Sequence, residues 1–417
     1  MSDILRDTIA RNRAGHAAAI PSVCSAHPEV LAASLRLAEA LDRPVVIEAT
    51  SNQVNQDGGY TGMTPAGFIA FVHGLARDTG TDPARITFGG DHLGPQAWRK
   101  LPAEQAMAKA HVMVADYVRA GFGKIHLDCS EGCAGEPAQL GDEVTVARSA
   151  ELARTCAGAG DAGRLLYVVG TEVPPPGGAR TDEEGDIPAT SPGSARATLD
   201  AHLAAFDGLG EIGGLVVQPG VEFTPMHVHH LPMDRDPGLK EAIAHAPGVC
   251  LEAHSTDYQH DAAYPRLAWL GFAFQKVGPA LTFAWRQALY ALDSLRPIAG
   301  WGEPVVFPAM EALMLAEPGY WQGHYHGSAE DQRLARHVGL ADRIRYYWPH
   351  PQAQAAVAAL LGDLEARRLP EPLLWQAFPE PVLALAEAIP GPRPQALLQA
   401  AVQAMLRPYF FAEDADA

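Results

Sequence analysis

Cysteine is scarce in this 417-residue chain, with five residues at 24, 129, 133, 156 and 250. An odd, scattered set argues against a disulfide framework and for reduced thiols, and so for a cytoplasmic home. Cys129 and Cys133 form C-x3-C with no second pair nearby, too little for a structural zinc or iron–sulfur site. Cations are also in deficit: 31 Lys and Arg stand against 49 Asp and Glu, for a formal net charge of −18. Such a chain is a poor non-specific nucleic-acid binder, because a phosphate backbone asks for clustered positive charge. No run of 18 uncharged apolar residues occurs, so no membrane-spanning helix is expected. The opening MSDILRDTIARNRAG lacks a signal-peptide core and reads as an amphipathic helix. There is no GxxxxGK(S/T) loop and no GxGxxG after the first candidate strand, which argues against kinase and dinucleotide chemistry. The 40 glycines and 34 prolines show no period, which excludes collagen-like and low-complexity classes.

What is present is an alternation of strand and helix. Short apolar runs fall at residues 18–25, 44–50, 86–92, 124–130, 165–172, 215–220, 249–255 and 273–279. Most are continuous rather than alternating, as strands covered on both faces should be. Between them, stretches such as 28–41, 65–79, 103–120, 144–157 and 195–209 carry apolar stripes at spacings of three and four. Eight such units in roughly 260 residues have the rhythm of a (β/α)8 TIM barrel. A barrel is therefore expected over residues 1–295, with 296–417 as a helical extension packed on it. Helical pieces are expected there at 330–338, 341–347, 352–365, 381–387 and 394–406. The polar segment 174–194 has the length of a functional loop.

In a barrel the active site lies where the C-terminal ends of the strands meet. The tails of these runs are rich in carboxylate and imidazole: Glu48, Asp91-His92, His126, Asp128, Glu172, Glu252 and His254, with Lys276 on the last. One histidine at a strand end means little. The same residue types at five or six successive ends suggest a divalent metal site, for which neutral imidazole and carboxylate suit Zn2+, and also Mn2+ or Co2+. His92 and His254 are the expected clamp. His230 or Glu252 would complete it, with Glu172 and His126 as alternatives. Asn52, Gln53, Gln218, Ser255, Thr256, Asp257 and Lys276 are candidate substrate contacts. Ser255-Thr256 and the segment after strand eight are expected phosphate seats. Lys276 is expected to act electrostatically, since nearby carboxylates keep it charged and non-nucleophilic. Asp91 and His92 are neighbours, and strict pleating would point them to opposite faces. A strand end curling into a loop relaxes that objection.

Several segments resemble the GatZ/KbaZ-like family, described as the non-catalytic subunit of class II tagatose-1,6-bisphosphate aldolase. They are SVCSAH (22–27), IEATSNQVNQDGGYTGM (47–63), GGDHLGP (89–95), IHLD (125–128), GTEVPPPGG (170–178), VQPGVEF (217–223), EAHSTDY (252–258), KVGPALTF (276–283) and DRIRYYWPH (342–350). The likeness covers nearly the whole chain, and the family also contains ketose 6-phosphate 4-epimerases. A more distant similarity to catalytic class II aldolases implies a proton-transferring Asp91 and zinc ligands at His92 and His254 and near His230, with Glu172 as a further catalytic acid or base. Those aldolases place a histidine directly after the strand-six glycine, where this chain reads Gln218-Pro219-Gly220.

The resemblance and the strand-end residues together imply 4-epimerisation of a ketohexose or its 6-phosphate, of the fructose/tagatose type. The route would be retro-aldol cleavage through a metal-bound enediolate, followed by re-addition, with Asp91, Glu172 and Asp128 as catalytic residues. The rival expectation is a silent partner of a class II aldolase catalytic subunit. A sugar or sugar phosphate is the expected small-molecule partner, and a homo-oligomer is compatible with either reading.

Overall fold

Eight parallel strands close into a ring in the computed structural model, which describes residues 2–170 and 187–413. They are β1 (Ile20–Cys24), β2 (Val45–Thr50), β3 (Ile86–Leu93), β4 (Lys124–Leu127), β5 (Leu166–Val169), β6 (Glu211–Val216), β7 (Cys250–Ala253) and β8 (Phe272–Val277). Each pairs with its neighbour in the chain. β1 closes the ring on β8, with Ser22 opposite Lys276. The expected (β/α)8 barrel is the observed fold.

Helices separate the strands, among them Pro28–Ala40, Pro65–Thr79, Ala103–Ala120, Asp142–Ala159, Pro192–Ala205 and Pro279–Ile298. Their starts are written locally. Thr64 and Ser191 cap their helices by accepting from Gly67 N and Ser194 N, and a proline follows each cap. β6 begins four residues before the expected 215 because Gly213-Gly214 belong to it. A Cβ at Gly213 would lie 2.4 Å from the Leu166 side chain, so the glycines that resemble a turn are a packing requirement of the adjacent strand. β4 and β7 stop short of their polar tails, which have already turned into the loops.

Alternate residues of each strand face the barrel axis, and they sort by height. At the base, Ile20, Val46, Leu166, Val168, Val216, Cys250 and Phe274 form a separate apolar cluster, plugged by Leu5 and Ile9 of the first helix (Ser2–Arg13). One pleat higher come Glu48, Lys124, Glu252 and Lys276, and above them His126 and His254.

Beyond β8, helices Val306–Ala316, Ala329–Val338, Pro351–Glu365, Glu380–Glu387 and Arg393–Leu406 follow. The helix expected at 341–347 is a 3-10 turn, Arg343–Tyr347. Asp342 before it takes φ +44° while its carboxylate accepts from Arg286 Nε at 2.8 Å. Helix Arg393–Leu406 returns to the barrel wall. There Gln399 donates to Glu29 and Gln403 to the Ala33 carbonyl, on helix Pro28–Ala40.

Candidate active site

The middle layer of the barrel is ionic and dry. Lys124 Nζ lies 2.6 Å from both Glu48 Oε1 and Glu252 Oε2, and all three side chains are inaccessible to solvent. Lys276 Nζ approaches Glu48 at 3.1 Å and Glu252 at 3.6 Å, and pairs closely with Asp91. Burial disfavours each ammonium, but the surrounding carboxylates win and raise both lysines above the ordinary range. Glycine makes room for this layer: a Cβ at Gly89 would sit 2.8 Å from Glu48 Oε1.

Three imidazoles crown it. The ring centroids of His92, His126 and His254 are 4.9, 5.1 and 5.2 Å apart, a nearly equilateral triangle. His92 Nδ1 is 2.9 Å from Asp128 Oδ2, and Asp128 in turn accepts from Ser130 N and Oγ. His254 Nε2 is 2.8 Å from Glu252 Oε1. Each of these two rings therefore spends one nitrogen on a carboxylate and keeps the other, which is how carboxylates orient metal-ligating histidines. His126 Nδ1 is approached by Asp91 Oδ1 at 3.1 Å and by the His92 backbone N–H at 3.2 Å, while its buried Nε2 has no hydrogen-bond partner. Burial pushes His126 and His254 down, so both are neutral ligand-type imidazoles. Burial also opposes charge on His92, but Asp91 and Asp128 outweigh it and raise that ring. Asp91 is drawn well below the usual carboxylate range: His92 and Lys276 overcome the effect of burial.

The donor set fits a divalent cation on charge as well. Glu48, Asp91, Asp128 and Glu252 are buried with only Lys124 and Lys276 to balance them. With all three histidines neutral the formal sum is 2 − 4 = −2, and a protonated His92 leaves −1. Among the described residues, Asp91-His92-His126 and His126-Glu252-His254 each bring ligand atoms within 4.8 Å of one another.

How Asp91 and His92 both serve the site is visible in the backbone. His92 has φ +46°, a left-handed conformation unusual for a non-glycine residue, and the β3–β4 register shifts between Gly90 and Leu93. The curl breaks the pleat where two adjacent side chains must face the same centre. The turn is tight: a Cβ at Gly94 would stand 1.8 Å from the Asp128 carbonyl oxygen, so only glycine fits.

A cavity of about 570 Å3 opens above the triangle, with Asp91, His92, His254 and Lys276 among its lining. Of the expected substrate contacts, Asn52, Gln53, Ser255, Asp257 and Lys276 line it, whereas Thr256 and Gln218 do not. Thr256 Oγ1 donates to the Lys276 carbonyl, and the Gln218 side chain accepts from the Gly220 and Val221 amides of its own loop. His230 is not among the cavity lining or the clustered donors; it is exposed and stacks on His260 with centroids 4.0 Å apart. Glu172 and most of the 174–194 loop lie outside the described residues. Sequence reasoning passed over Lys124, although Lys124, His126 and Asp128 at spacing two mark one face of a strand. It also passed over Tyr60, Arg345 and Tyr346 in the cavity wall.

The family model described as D-tagatose-1,6-bisphosphate aldolase subunit GatZ/KbaZ-like matches residues 5–414. The D-tagatose 6-phosphate 4-epimerase of Agrobacterium fabrum (strain C58) is 47% identical over 421 residues, which cover 98% of either chain. The crystal structure of a probable tagatose 6 phosphate kinase from Sinorhizobium meliloti 1021 is 44% identical. It superposes with a TM-score of 0.85 over 94% of this chain and 99% of that one.

Proposed function

The chain belongs to the GatZ/KbaZ-like family, and from that premise we propose that it is a metal-dependent 4-epimerase of a ketohexose 6-phosphate of the fructose/tagatose type. The carrying observation is the triangle of His92, His126 and His254 beside an ionised, buried Asp91 at the cavity floor. His92, His126 and His254 would hold the cation, Zn2+ above the alternatives Mn2+ and Co2+ for a site of imidazoles. When bound, it supplies a Lewis acid for the C2 carbonyl and C3 hydroxyl of a ketose. The protein's own groups do the rest. Asp128 and Glu252 fix the orientation of His92 and His254. Asp91 accepts the proton of the C4 hydroxyl as the C3–C4 bond breaks, leaving a three-carbon enediolate and an aldehyde. Lys276 keeps Asp91 ionised and offers positive charge to the developing enediolate. The aldehyde presents its other face, the C3–C4 bond re-forms, and a proton returns to the C4 oxygen with the configuration inverted. Glu172, expected from the sequence at the end of strand five, is the candidate partner for that return.

A silent aldolase partner is the rival. A chain with no chemistry to perform gains nothing from burying surplus negative charge and an orphaned imidazole nitrogen, both of which are costly. The kinase activity for which the Sinorhizobium relative is named has no counterpart here, since this sequence holds no glycine-rich ATP motif. NMR of the metal-loaded chain with fructose 6-phosphate tests the proposal. Tagatose 6-phosphate signals are expected, and product formed in D2O should carry no deuterium at C4, because that hydrogen stays on the aldehyde carbon. No new ketose after long incubation at high enzyme concentration would overturn the reading.

A further inference from the structure

We propose that Arg345, carried to the cavity by the segment that follows the barrel, binds the phosphate ester of the substrate and sets the preference for a phosphorylated over a free sugar. The identity of the sugar rests on the epimerase reading above; the anion site does not.

Two of the customary phosphate seats of a barrel, the helix N-terminus after strand eight and the Thr256 hydroxyl, are already taken in this chain. Phosphate commonly sits against the loops after strands seven and eight and a nearby helix N-terminus. Here the amides of Gly278 and Ala280, at the start of helix Pro279–Ile298, both donate to Asp257 Oδ1, at 3.1 and 2.8 Å. A carboxylate of the chain itself thus occupies that N-terminus. The Thr256 hydroxyl is spent on the Lys276 carbonyl and lies 3.0 Å from the Tyr409 hydroxyl.

Among the described residues, the lysine and arginine side chains that line the cavity are Lys276 and Arg345. Lys276 is committed to Asp91, Glu48 and Glu252. Arg345 makes no ion pair with a carboxylate among the described residues. Its Nη1 donates to the Ala341 and Asp342 carbonyls, and its Nη2 to the Tyr346 hydroxyl at 2.9 Å. None of the three acceptors is a carboxylate, and a guanidinium has five N–H donors in a fixed fork suited to phosphate oxygens. The carboxylate nearest in sequence, Asp342, is taken by Arg286. Tyr60, from the loop after β2, stands edge-on to Tyr346 with centroids 5.1 Å apart and braces the group from the opposite wall. The cavity thus has a reacting floor and, on its extension side, a guanidinium that no carboxylate pairs with directly among the described residues, packed with Arg343 over the Tyr346 ring.

Calorimetric titration of the full-length, metal-loaded protein with fructose 6-phosphate, fructose and inorganic phosphate is the test. The 6-phosphate should bind about 100-fold more tightly than fructose, and inorganic phosphate should compete with it. Arg345→Gln, which keeps a donor for the two carbonyls, should erase most of that difference while its zinc content stays at the wild-type level. Arg345→Lys, a point charge without the fork, should fall between the two, roughly 10-fold below wild type. Should Arg345→Gln fail to fold, the Arg345→Lys variant and the wild-type comparison of the two sugars still decide. Wild-type protein that binds both sugars equally, or a folded Arg345→Gln protein within twofold of wild type for the 6-phosphate, overturns the inference. The two proposals fail separately. A protein that binds the 6-phosphate through Arg345 but never epimerises it keeps the anion site and loses the epimerase; normal turnover in Arg345→Gln does the reverse.

Discussion

At the scale of single residues, Asp91 and His126 divide the labour that the proposed chemistry requires. Asp91 touches Lys276, His126 and Cys24 and is pulled toward the ionised form. Asp91→Asn preserves shape and removes the base. Metal content should stay at the wild-type level while turnover of the ketose phosphate falls about 100-fold or more, the usual worth of a positioned proton transfer. His126→Ala should do the opposite and release the metal, read by elemental analysis of the purified protein. His230→Ala should retain it, because that ring is exposed and stacked on His260. The left-handed His92 adds a constraint that composition cannot show. Its conformation costs roughly 1–2 kcal/mol, supported by the ring's bond to Asp128 and by the close passage of Gly94.

At the scale of elements, the helix Ala329–Val338 is pinned to Val306–Ala316 through one carboxylate. Glu311 receives Arg333 at 3.0 Å, Arg336 at 2.6 Å and His337 Nε2 at 2.9 Å. The other His337 nitrogen is 2.8 Å from the Tyr290 hydroxyl. That pattern suits a neutral ring that donates on one side and accepts on the other. Burial lowers His337 to about 4, against the pull of Glu311. The unfolded chain takes up this proton near pH 6.5 and the folded one only near 4. Stability is therefore full above about 6.5 and is lost as pH falls toward 4, by up to about 3 kcal/mol. Urea unfolding at pH 7 and pH 4.5 should show the loss, and His337→Gln should reduce it, leaving the share of the other histidines that burial lowers, His27, His126, His202 and His254. Elements of the barrel were legible in the sequence because strands covered on both faces read as unbroken apolar runs with polar tails. The start of β6 was hidden because its two glycines imitate a turn. The His92–His254 pairing followed from strand order, whereas the placement of His126 beside them needed coordinates. Arg345 was illegible as a cavity residue: it comes from irregular chain some 70 residues past the last strand, and no periodicity ties it to the site.

For the whole molecule, the extension and the barrel share a core. Leu397, Leu398, Val402 and Leu406 on the last helix are fully buried, and Tyr409 donates to the Thr256 carbonyl at the barrel mouth. Each buried leucine or valine contributes roughly 1.5–3 kcal/mol. A chain ending at residue 390 should therefore lose cooperative thermal unfolding and solubility rather than survive as a bare barrel, as calorimetry and sedimentation of the truncated protein would show. The closure of β1 on β8 also imposes an order in time. A ribosome delivers β1 first, yet that strand's second neighbour arrives some 250 residues later, and the helix that covers Pro28–Ala40 later still. At about 5–20 residues per second, the edge of β1 stays unpaired for roughly 13–50 s and the apolar face of Pro28–Ala40 uncovered for roughly 20–80 s. Nascent chains of this protein should therefore depend on chaperones until synthesis is nearly complete, and codons that slow translation in the last quarter of the message should cost more yield than the same codons near its start.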